Sequence, residues 1–268
     1  MPQARGAWQR ILGRTQRPQS LPRGVGSPRV MAVHAPSART VMLAGDQVVS
    51  MPVTSRTAVL LDVDGVLLDT GAAYARVWSR WAGAHGLDPE EVCAFTQGRR
   101  MNDTLRALLP DGDHAVERRM LDAFMAEGRH LVRPFEGAQS LLRSLPKNRW
   151  AIATSGRRAS VHRRFAWAGL PLPGVQVCAG DVARGKPDPE CYVQAARRLG
   201  ADPARCLVID DSPAGIAAGK AAGCAVYAVS TTHPPDRLAA ADRRYGSLQA
   251  AAGDIRDWAA ADGAGRHL

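Results

Sequence analysis

Short apolar runs alternate with amphipathic stretches from residue 57 to about residue 250 of the 268-residue chain. Each run has the length and continuity of a strand that is buried on both faces. The runs lie at residues 57–64, 150–154, 175–179, 206–210 and 225–230. Asp188-Pro189 and Ser212-Pro213 each place a capping residue before a proline, which is typical of a helix start. Strands alternating with helices predict an α/β fold with a mostly parallel sheet and helices on both faces.

The segment between the first two runs, about residues 71–135, has helical periodicity throughout. Its first apolar face contains Tyr74, Val77, Trp78 and Trp81. Two further faces follow, one of Leu105, Leu108 and Leu109, the other of Val116, Met120, Leu121, Phe124 and Met125. A helical insertion directly after the first strand predicts a cap that acts as a lid, the alternative being an elaboration of the core.

These patterns divide the chain into four parts. Residues 56–70 and 136–255 form the predicted α/β core, and residues 71–135 form the predicted helical cap. Residues 1–55 are rich in arginine, proline, glycine and glutamine and have no lasting hydrophobic period, so we predict a disordered leader. Residues 256–268 form a tail.

The net charge of +10 is concentrated in the leader, which holds seven arginines and one aspartate. The rest of the chain carries +4, so we expect no nucleic-acid partner. The leader itself could be a basic arm, an arginine-rich targeting peptide or a tail without function. It could also precede the true start of the protein.

Hydropathy and cysteine usage exclude further classes. No stretch approaches the roughly 20 apolar residues that a membrane helix needs, which excludes a membrane-spanning protein. The five cysteines are widely spaced and odd in number, which favours free thiols and a cytoplasmic location. We expect a monomer or a dimer.

Carboxylates cluster at the ends of two predicted strands. Asp62 and Asp64 end the first run, and Asp210 and Asp211 end the fourth. Ligands of such sheets bind beyond the carboxyl ends of the strands. Paired carboxylates need a cation or a proton, and a cluster of hard oxygen ligands suits Mg²⁺.

A cation and a phosphate anchor accompany these acids. Lys186 lies in the sequence Gly-Lys-Pro-Asp-Pro, whose glycine and prolines fix a loop that could aim the ammonium at the acids. Thr154, Ser155 and Gly156 follow the second run with hydroxyls and free N–H groups, a plausible phosphate anchor. The order acid pair, hydroxyl, lysine, acid pair, each at a strand end or adjoining loop, predicts phosphoryl chemistry.

The sequences LLDVDGVLLDT, AIATSG, GKPDPE and CLVIDDSPAGIAAGKAAG resemble the four signature motifs of the haloacid dehalogenase (HAD) superfamily of phosphohydrolases. The resemblance covers about residues 57–250 and implies a Rossmann-like core. The place of the cap, together with VWSRWA, QGRRMNDTLRALLP and VRPFEGA, is similar to glycerol-phosphate and 2-deoxyglucose-6-phosphate phosphatases. Three positions depart from the common pattern: Gln97 stands for histidine, Asp210 for glutamate and Val66 for threonine.

The resemblance implies a mechanism. Asp62 is the nucleophile that forms an aspartyl-phosphate, and Asp64 first protonates the leaving oxygen and then activates water. Lys186 neutralises charge on the nucleophile and on the phosphoryl group.

The same resemblance implies the ligands. Mg²⁺ is held by Asp62, the main-chain carbonyl of Asp64 and Asp211, with assistance from Asp210. The transferred oxygens are bound by Thr154, Ser155 and Gly156. Arg99 and Arg100 of the cap are candidate substrate ligands, the alternative being ion pairs with cap acids.

We therefore expect a Mg²⁺-dependent phosphatase of a small phosphorylated metabolite, a sugar or polyol phosphate. A dehalogenase needs no second acid and no metal, and a phosphonatase needs a cap lysine, which residues 70–146 lack. A β-phosphoglucomutase-like phosphotransferase is one alternative, although its relatives carry a hinge histidine where this chain has Tyr74. A non-catalytic binding protein that uses the basic leader is the other.

Overall fold

The computed structural model describes residues 56–96 and 100–261, with a six-stranded sheet at their centre. The strands in chain order are β1 (Ala58–Leu61), β2 (Leu68–Asp69), β3 (Arg133–Pro134), β4 (Trp150–Ala153), β5 (Val175–Val177), β6 (Cys206–Asp210), β7 (Ala225–Val229) and β8 (Arg243–Tyr245). The large sheet has the order β5-β4-β1-β6-β7-β8, and all its neighbouring strands run parallel. The predicted α/β fold is confirmed.

The described ranges contain nine α-helices. They are α1 (Gly71–Ala84), α2 (Pro89–Thr96), α3 (Met101–Leu108), α4 (His114–Glu127), α5 (Ala138–Ser144), α6 (Arg158–Ala168), α7 (Glu190–Leu199), α8 (Pro213–Ala221) and α9 (Leu248–Ala260). The Ser212 side chain accepts a hydrogen bond from Gly215 N at 3.0 Å, and Asp188 Oδ1 accepts one from Glu190 N at 3.0 Å. The start of α8 is thus capped by Ser212 as predicted, whereas α7 begins at Glu190, after Pro189, one residue later than predicted, with Asp188 bound to its first N–H.

Helices cover both faces of the sheet. Ala58 and Leu60 of β1 lie in one buried cluster with Tyr192 of α7 and Ile216 of α8. Because successive strand residues point to opposite faces, Val59 and Leu61 face the other side, where α9 packs against β1 and β7. The four strands β4, β1, β6 and β7 are almost completely buried, as their continuous apolar sequences predict.

Residues 71–135 contain α1 to α4, in agreement with their helical periodicity. This segment is not helical throughout, because β3 pairs with β2 in a small antiparallel ribbon at its base. The third apolar face is also altered: Val116 is exposed, and the buried position beside it belongs to Glu117. Trp81 Nε1 and His85 Nε2 bind the Glu117 carboxylate at 2.7 and 2.9 Å, so this buried acid is paired.

The large sheet ends in β8, which the sequence analysis did not predict. Two of its three residues are arginines with exposed side chains, so it lacks the apolar run that marks the other strands. The predicted leader and residues 262–268 lie outside the described residues. No described helix is both long enough and apolar enough to cross a membrane.

Candidate active site

The acid pairs of the sequence meet at the carboxyl ends of the two central strands. In the parallel register of β1 and β6, Leu61 lies beside Ile209, and the N–H of Asp62 donates to the Ile209 carbonyl at 3.0 Å. The next residues, Asp62 and Asp210, therefore lie side by side beyond the strand ends. Asp62 is 8% exposed, so the cluster is buried at the carboxyl edge of the sheet.

Lys186 joins the two acids. Its Nζ lies 2.6 Å from Asp62 Oδ1 and 2.8 Å from Asp210 Oδ2. Burial lowers the pKa of Lys186, but the carboxylates of Asp210 and Asp62 raise it well above its ordinary value. The ammonium is therefore charged at neutral pH, and the loop that carries Lys186 reaches the acids as predicted.

Asp210 is held by several donors. Its Oδ2 accepts from the Tyr192 hydroxyl at 2.5 Å as well as from Lys186, and its Oδ1 accepts from Ser212 N and Oγ at 2.9 and 2.8 Å. Burial opposes ionisation, yet Lys186 and these hydrogen bonds lower the pKa of Asp210 below its ordinary value. A Cβ at Gly215 would overlap the carboxylate, so only glycine fits there. Lys186, Tyr192 and Ser212 donate to the two oxygens of Asp210 and anchor this carboxylate, and its assistance to a metal stays a prediction.

Asp62 carries unbalanced negative charge. Burial raises its pKa to about 7, against the opposing effect of Lys186, and the neighbouring Asp210 raises it further. One lysine shared between two buried carboxylates does not fully compensate either of them. A second cation near Asp62 would favour the ionised form.

Asp211 lies against the turn that follows Asp62. Gly65 has a φ of +88°, and a Cβ there would overlap the Asp211 carboxylate, so the turn and the acid require glycine at this position. Thr232 Oγ1 donates to Asp211 Oδ2, and His233 Nδ1 lies 3.0 Å from the Asp211 carbonyl. Burial, with Asp210 and Asp62 nearby, raises the pKa of Asp211 well above its ordinary value.

Asp64 has partners of its own. Its Oδ1 accepts from Thr70 Oγ1 at 2.9 Å and from Nη1 of Arg164, a residue on α6 whose side chain is completely buried. The Asp64 side chain is 27% exposed, unlike that of Asp62. The two acids of the Asp-Val-Asp motif therefore have separate cations.

The predicted phosphate anchor lies at the end of β4. Thr154 is 4% exposed, and its Oγ1 accepts from Gly156 N at 3.0 Å, which fixes the turn. Ser155 is exposed. The parallel pairing of β4 with β1 brings this turn beside Asp62 and Asp64, as the order of the motifs predicts.

The cap arginines have different outcomes. Arg99 lies outside the described residues, together with Gln97 and Gly98. Arg100 reaches the core, because a Cβ on Gly185 would overlap its guanidinium. The Arg100 side chain therefore packs against the loop that carries Lys186. Its Nε is buried without a hydrogen-bond partner among the described residues.

The donors suit a hard divalent cation. Over residues 56–96 and 100–261, no three His, Cys, Asp or Glu side chains converge as a ready-made cage. Mg²⁺ does not need one, since it usually takes one or two carboxylates, waters and substrate phosphate oxygens. Asp62 and Asp211 are buried carboxylates with raised pKa values, and this surplus of negative charge fits a bound cation.

Several residues around the site escaped the sequence analysis. They are Thr70, Arg164, Tyr192, Ser212 as a ligand of Asp210, and Thr232. Tyr192 and Arg164 look like ordinary helix positions in the sequence. Only Ser212 carried a local signal, as the cap of α8.

The chain is similar to known hydrolases. Residues 57–223 match the sequence profile of the family described as haloacid dehalogenase-like hydrolase. Hexitol phosphatase A of Escherichia coli is 41% identical over 195 residues, which cover 71% of this chain and 90% of that protein. Glycerol-1-phosphate phosphohydrolase 2 of Saccharomyces cerevisiae is 34% identical over 194 residues, covering 68% of this chain and 77% of that protein.

Solved structures share the fold. A HAD family hydrolase from Deinococcus radiodurans, crystallised with bound phosphate and sodium, is 29% identical to this chain with a TM-score of 0.57. The similarity covers 78% of this chain and 98% of that one.

Proposed function

This chain belongs to the haloacid dehalogenase-like hydrolases and is a phosphatase, and we propose that it hydrolyses a sugar or polyol phosphate through an aspartyl-phosphate on Asp62. The observation that carries the proposal is the separation of two neighbouring acids. Asp62 is buried with Lys186, while Asp64 is partly exposed and bound to Arg164. A nucleophile and a proton donor need such different surroundings.

In the first step, an Asp62 carboxylate oxygen attacks phosphorus, and the bond from phosphorus to the leaving oxygen breaks. Asp64 gives its proton to that oxygen, so the product leaves as an alcohol. Lys186 offsets the charge on Asp62 and on the incoming phosphate, which would otherwise repel each other.

In the second step, water attacks the phosphorus of the aspartyl-phosphate. Asp64, now ionised, takes a proton from that water, and the bond from phosphorus to Asp62 breaks. Inorganic phosphate leaves, and Asp62 and Asp64 return to their starting protonation states. Thr154 and the Ser155 N–H would hold the phosphate oxygens through both steps, and the Gly156 N–H, which donates to Thr154 Oγ1 in this structure, would have to turn to the phosphate to join them.

Mg²⁺ fits the proposed site. Asp62, the main-chain carbonyl of Asp64 and Asp211 would hold it, with assistance from Asp210, which also binds Lys186. When bound, the ion screens the charge of the phosphate from that of the nucleophile.

The cap residues would select the substrate. We propose that residues 71–135 form a lid over the site, with Arg100, and Arg99 beside it in the sequence, as ligands of substrate hydroxyls or of a second anionic group. The Arg100 side chain packs against Gly185 in the loop that carries Lys186, which supports this assignment. The two curated relatives are named for hexitol and glycerol phosphates, which supports a polyol or sugar as the leaving group.

A phosphate-release screen tests the proposal. The purified chain would be assayed with Mg²⁺ on hexitol, hexose, pentose and glycerol phosphates, phosphoglycolate and nucleotides, with chelator as the control. We expect release from a sugar or polyol phosphate that chelator abolishes. Isomerised sugar phosphate without net release would indicate the phosphotransferase alternative, and no turnover of any phosphate would contradict the proposal.

We also propose a cytoplasmic location. All five cysteines are free, and four of them are buried, as expected in a reducing compartment. A monomer or dimer remains our prediction for the assembly.

A further inference from the structure

Arg164 is a buried cation that the proposed mechanism does not use directly. It lies in the second turn of α6, the helix that follows the phosphate anchor, and its side chain has no exposed surface. Nη1 donates to Asp64 Oδ1, and Nε donates to the Ser160 carbonyl at 3.3 Å. Burial lowers the pKa of Arg164, but Asp64 and Tyr74 raise it above its ordinary value, so the guanidinium stays charged.

The contact with Asp64 involves one carboxylate oxygen. Arg164 and Thr70 both donate to Oδ1, and no hydrogen bond among the described residues reaches Oδ2. Because Oδ1 is held from two directions, rotation of the carboxylate is restricted. Oδ2 is left to exchange a proton with a substrate.

The other end of the guanidinium lies under the phosphate anchor. A Cβ on Gly156 would be 3.0 Å from Arg164 Nη2 and 3.4 Å from Thr154 Oγ1. Nη2 is buried and has no hydrogen-bond partner among the described residues. The Tyr74 ring, 5.6 Å from the guanidinium carbon, lies on another side. Arg164 thus connects the loop of Asp64 with the turn of Thr154.

A purely structural ion pair explains this arrangement poorly. Burying a guanidinium and leaving one of its nitrogens unpaired is unfavourable, and apolar residues often replace buried ion pairs without loss of stability. The pair with Asp64 is also incompletely buried, which weakens its contribution to folding. A role in the reaction accounts for a charge at this position.

We infer that Arg164 is a positioning residue that fixes the Asp64 carboxylate for proton transfer to the leaving oxygen, an inference that rests on the proposed function. As the bond from phosphorus to the leaving oxygen breaks, the proton on Asp64 Oδ2 moves to that oxygen. The negative charge left on Asp64 is stabilised through Nη1 and Oδ1. Arg164 keeps its own protons throughout and does not contact the substrate.

The test is the dependence of kcat/KM on the leaving group. Aryl phosphates with acidic phenols need little protonation of the leaving oxygen, whereas alkyl phosphates need it most. We expect Arg164→Met to lower kcat/KM about 100-fold on glycerol phosphate and less than about threefold on 2,4-dinitrophenyl phosphate. Arg163→Met is the matched control, because Arg163 is the neighbouring arginine of α6 and pairs with Asp122 at 2.8 Å. It should change both substrates by the same factor.

A double-mutant cycle shows whether Arg164 acts through Asp64. In the Asp64→Asn background, Arg164→Met should cause no further loss beyond about threefold on the alkyl substrate. Losses that multiply would overturn the inference, as would an equal loss on alkyl and aryl substrates.

Arg164→Lys keeps the positive charge and covers the case in which the methionine variant does not fold. We expect about a tenfold loss that is again confined to alkyl substrates, and full activity of this variant or a uniform loss would overturn the inference. The activity of the wild-type enzyme distinguishes a failure of the proposed function from a failure of the inference about Arg164. If it releases no phosphate from any substrate, the proposed function fails, whereas an active enzyme with a uniform variant effect refutes only the role of Arg164.

Discussion

Replacing Asp62 by asparagine should abolish turnover and stabilise the fold in the same variant. Asparagine is nearly isosteric with aspartate but cannot form the covalent intermediate, so we expect kcat to fall about 10⁴-fold or more. The stability gain has a separate origin. Burial, with Asp210 nearby and despite Lys186, raises the pKa of Asp62 to about 7, so its ionised form is disfavoured in the folded state.

The magnitude follows from the pKa values of the folded and unfolded states. An aspartate that titrates at 3.8 when unfolded and at about 7 when folded destabilises the protein by up to about 4 kcal/mol above pH 7. The attraction of Lys186 is already included in this value, and the Asp62 side chain is 11% exposed, so solvent screens part of its charge and we expect about half of this gain. For about 200 folded residues, about 2 kcal/mol corresponds to a rise in Tm of about 4 to 8 °C.

The sign of the pH dependence makes the prediction specific. Since the folded pKa is raised, the cost of Asp62 is complete above about pH 7 and disappears as the pH falls toward 4. Tm of both proteins should be measured without Mg²⁺ at about pH 8 and about pH 5, and the gain should be less than about half as large at the lower pH. Asp69→Asn is the control, because Asp69 is exposed and should leave Tm unchanged. Activity within about tenfold of wild type, or a lower Tm at about pH 8, would refute the reasoning.

Three further predictions concern the metal, the cap and the leader. Mg²⁺ should raise Tm more at about pH 8 than at about pH 5, because protons compete with the ion for the carboxylates of Asp62 and Asp211, whose pKa values are raised. Asp211→Asn should remove most of this rise in Tm, and an equal rise at both pH values would contradict the prediction. Arg100→Ala should lower kcat/KM about 10- to 100-fold on the best sugar or polyol phosphate, because a lost charge-assisted hydrogen bond costs about 1.5 to 3 kcal/mol of binding free energy. On p-nitrophenyl phosphate it should lower kcat/KM only a few-fold, and equal losses on both substrates would indicate a damaged lid. Deleting residues 1–50 should leave kcat and Tm nearly unchanged, since their sequence offers no periodic apolar face, and a marked fall in Tm would show that they pack on the core.

The parts of the fold that the sequence predicted are those with a strong local signal. Four strands of the central sheet, β1, β4, β6 and β7, are buried on both faces, so they read as continuous apolar runs. The starts of α7 and α8 are marked in the sequence by a polar residue that precedes a proline. By contrast, β8 pairs at the sheet edge through its backbone while its arginine side chains stay exposed, and such pairing leaves no hydrophobic pattern.

The site residues also fall into two groups, those with a local signal in the sequence and those without one. Asp62, Asp64, Lys186 and Asp211 stand beside glycines or at strand ends, so the sequence marks them. Their partners come from positions far away in the chain: Arg164 lies 100 residues from Asp64, and Thr232 lies 21 residues from Asp211. Nothing local requires an arginine or a threonine at those positions. Only the fold brings each to its carboxylate.

The two neighbouring acids Asp62 and Asp64 bind different cations, Lys186 and Arg164. Lys186 is shared between Asp62 and Asp210, and Asp210 is itself held by Tyr192 and Ser212, so the ammonium is fixed but only part of its charge serves the nucleophile. Asp62 therefore keeps a raised pKa and remains responsive to a second cation. Arg164 instead forms its ion pair with Asp64 and keeps its own charge. An Asp-Val-Asp sequence by itself makes its two carboxylates equivalent in chemistry. The difference between the nucleophile and the proton donor that we propose would arise from a lysine shared with a third acid and from an arginine bound to Asp64.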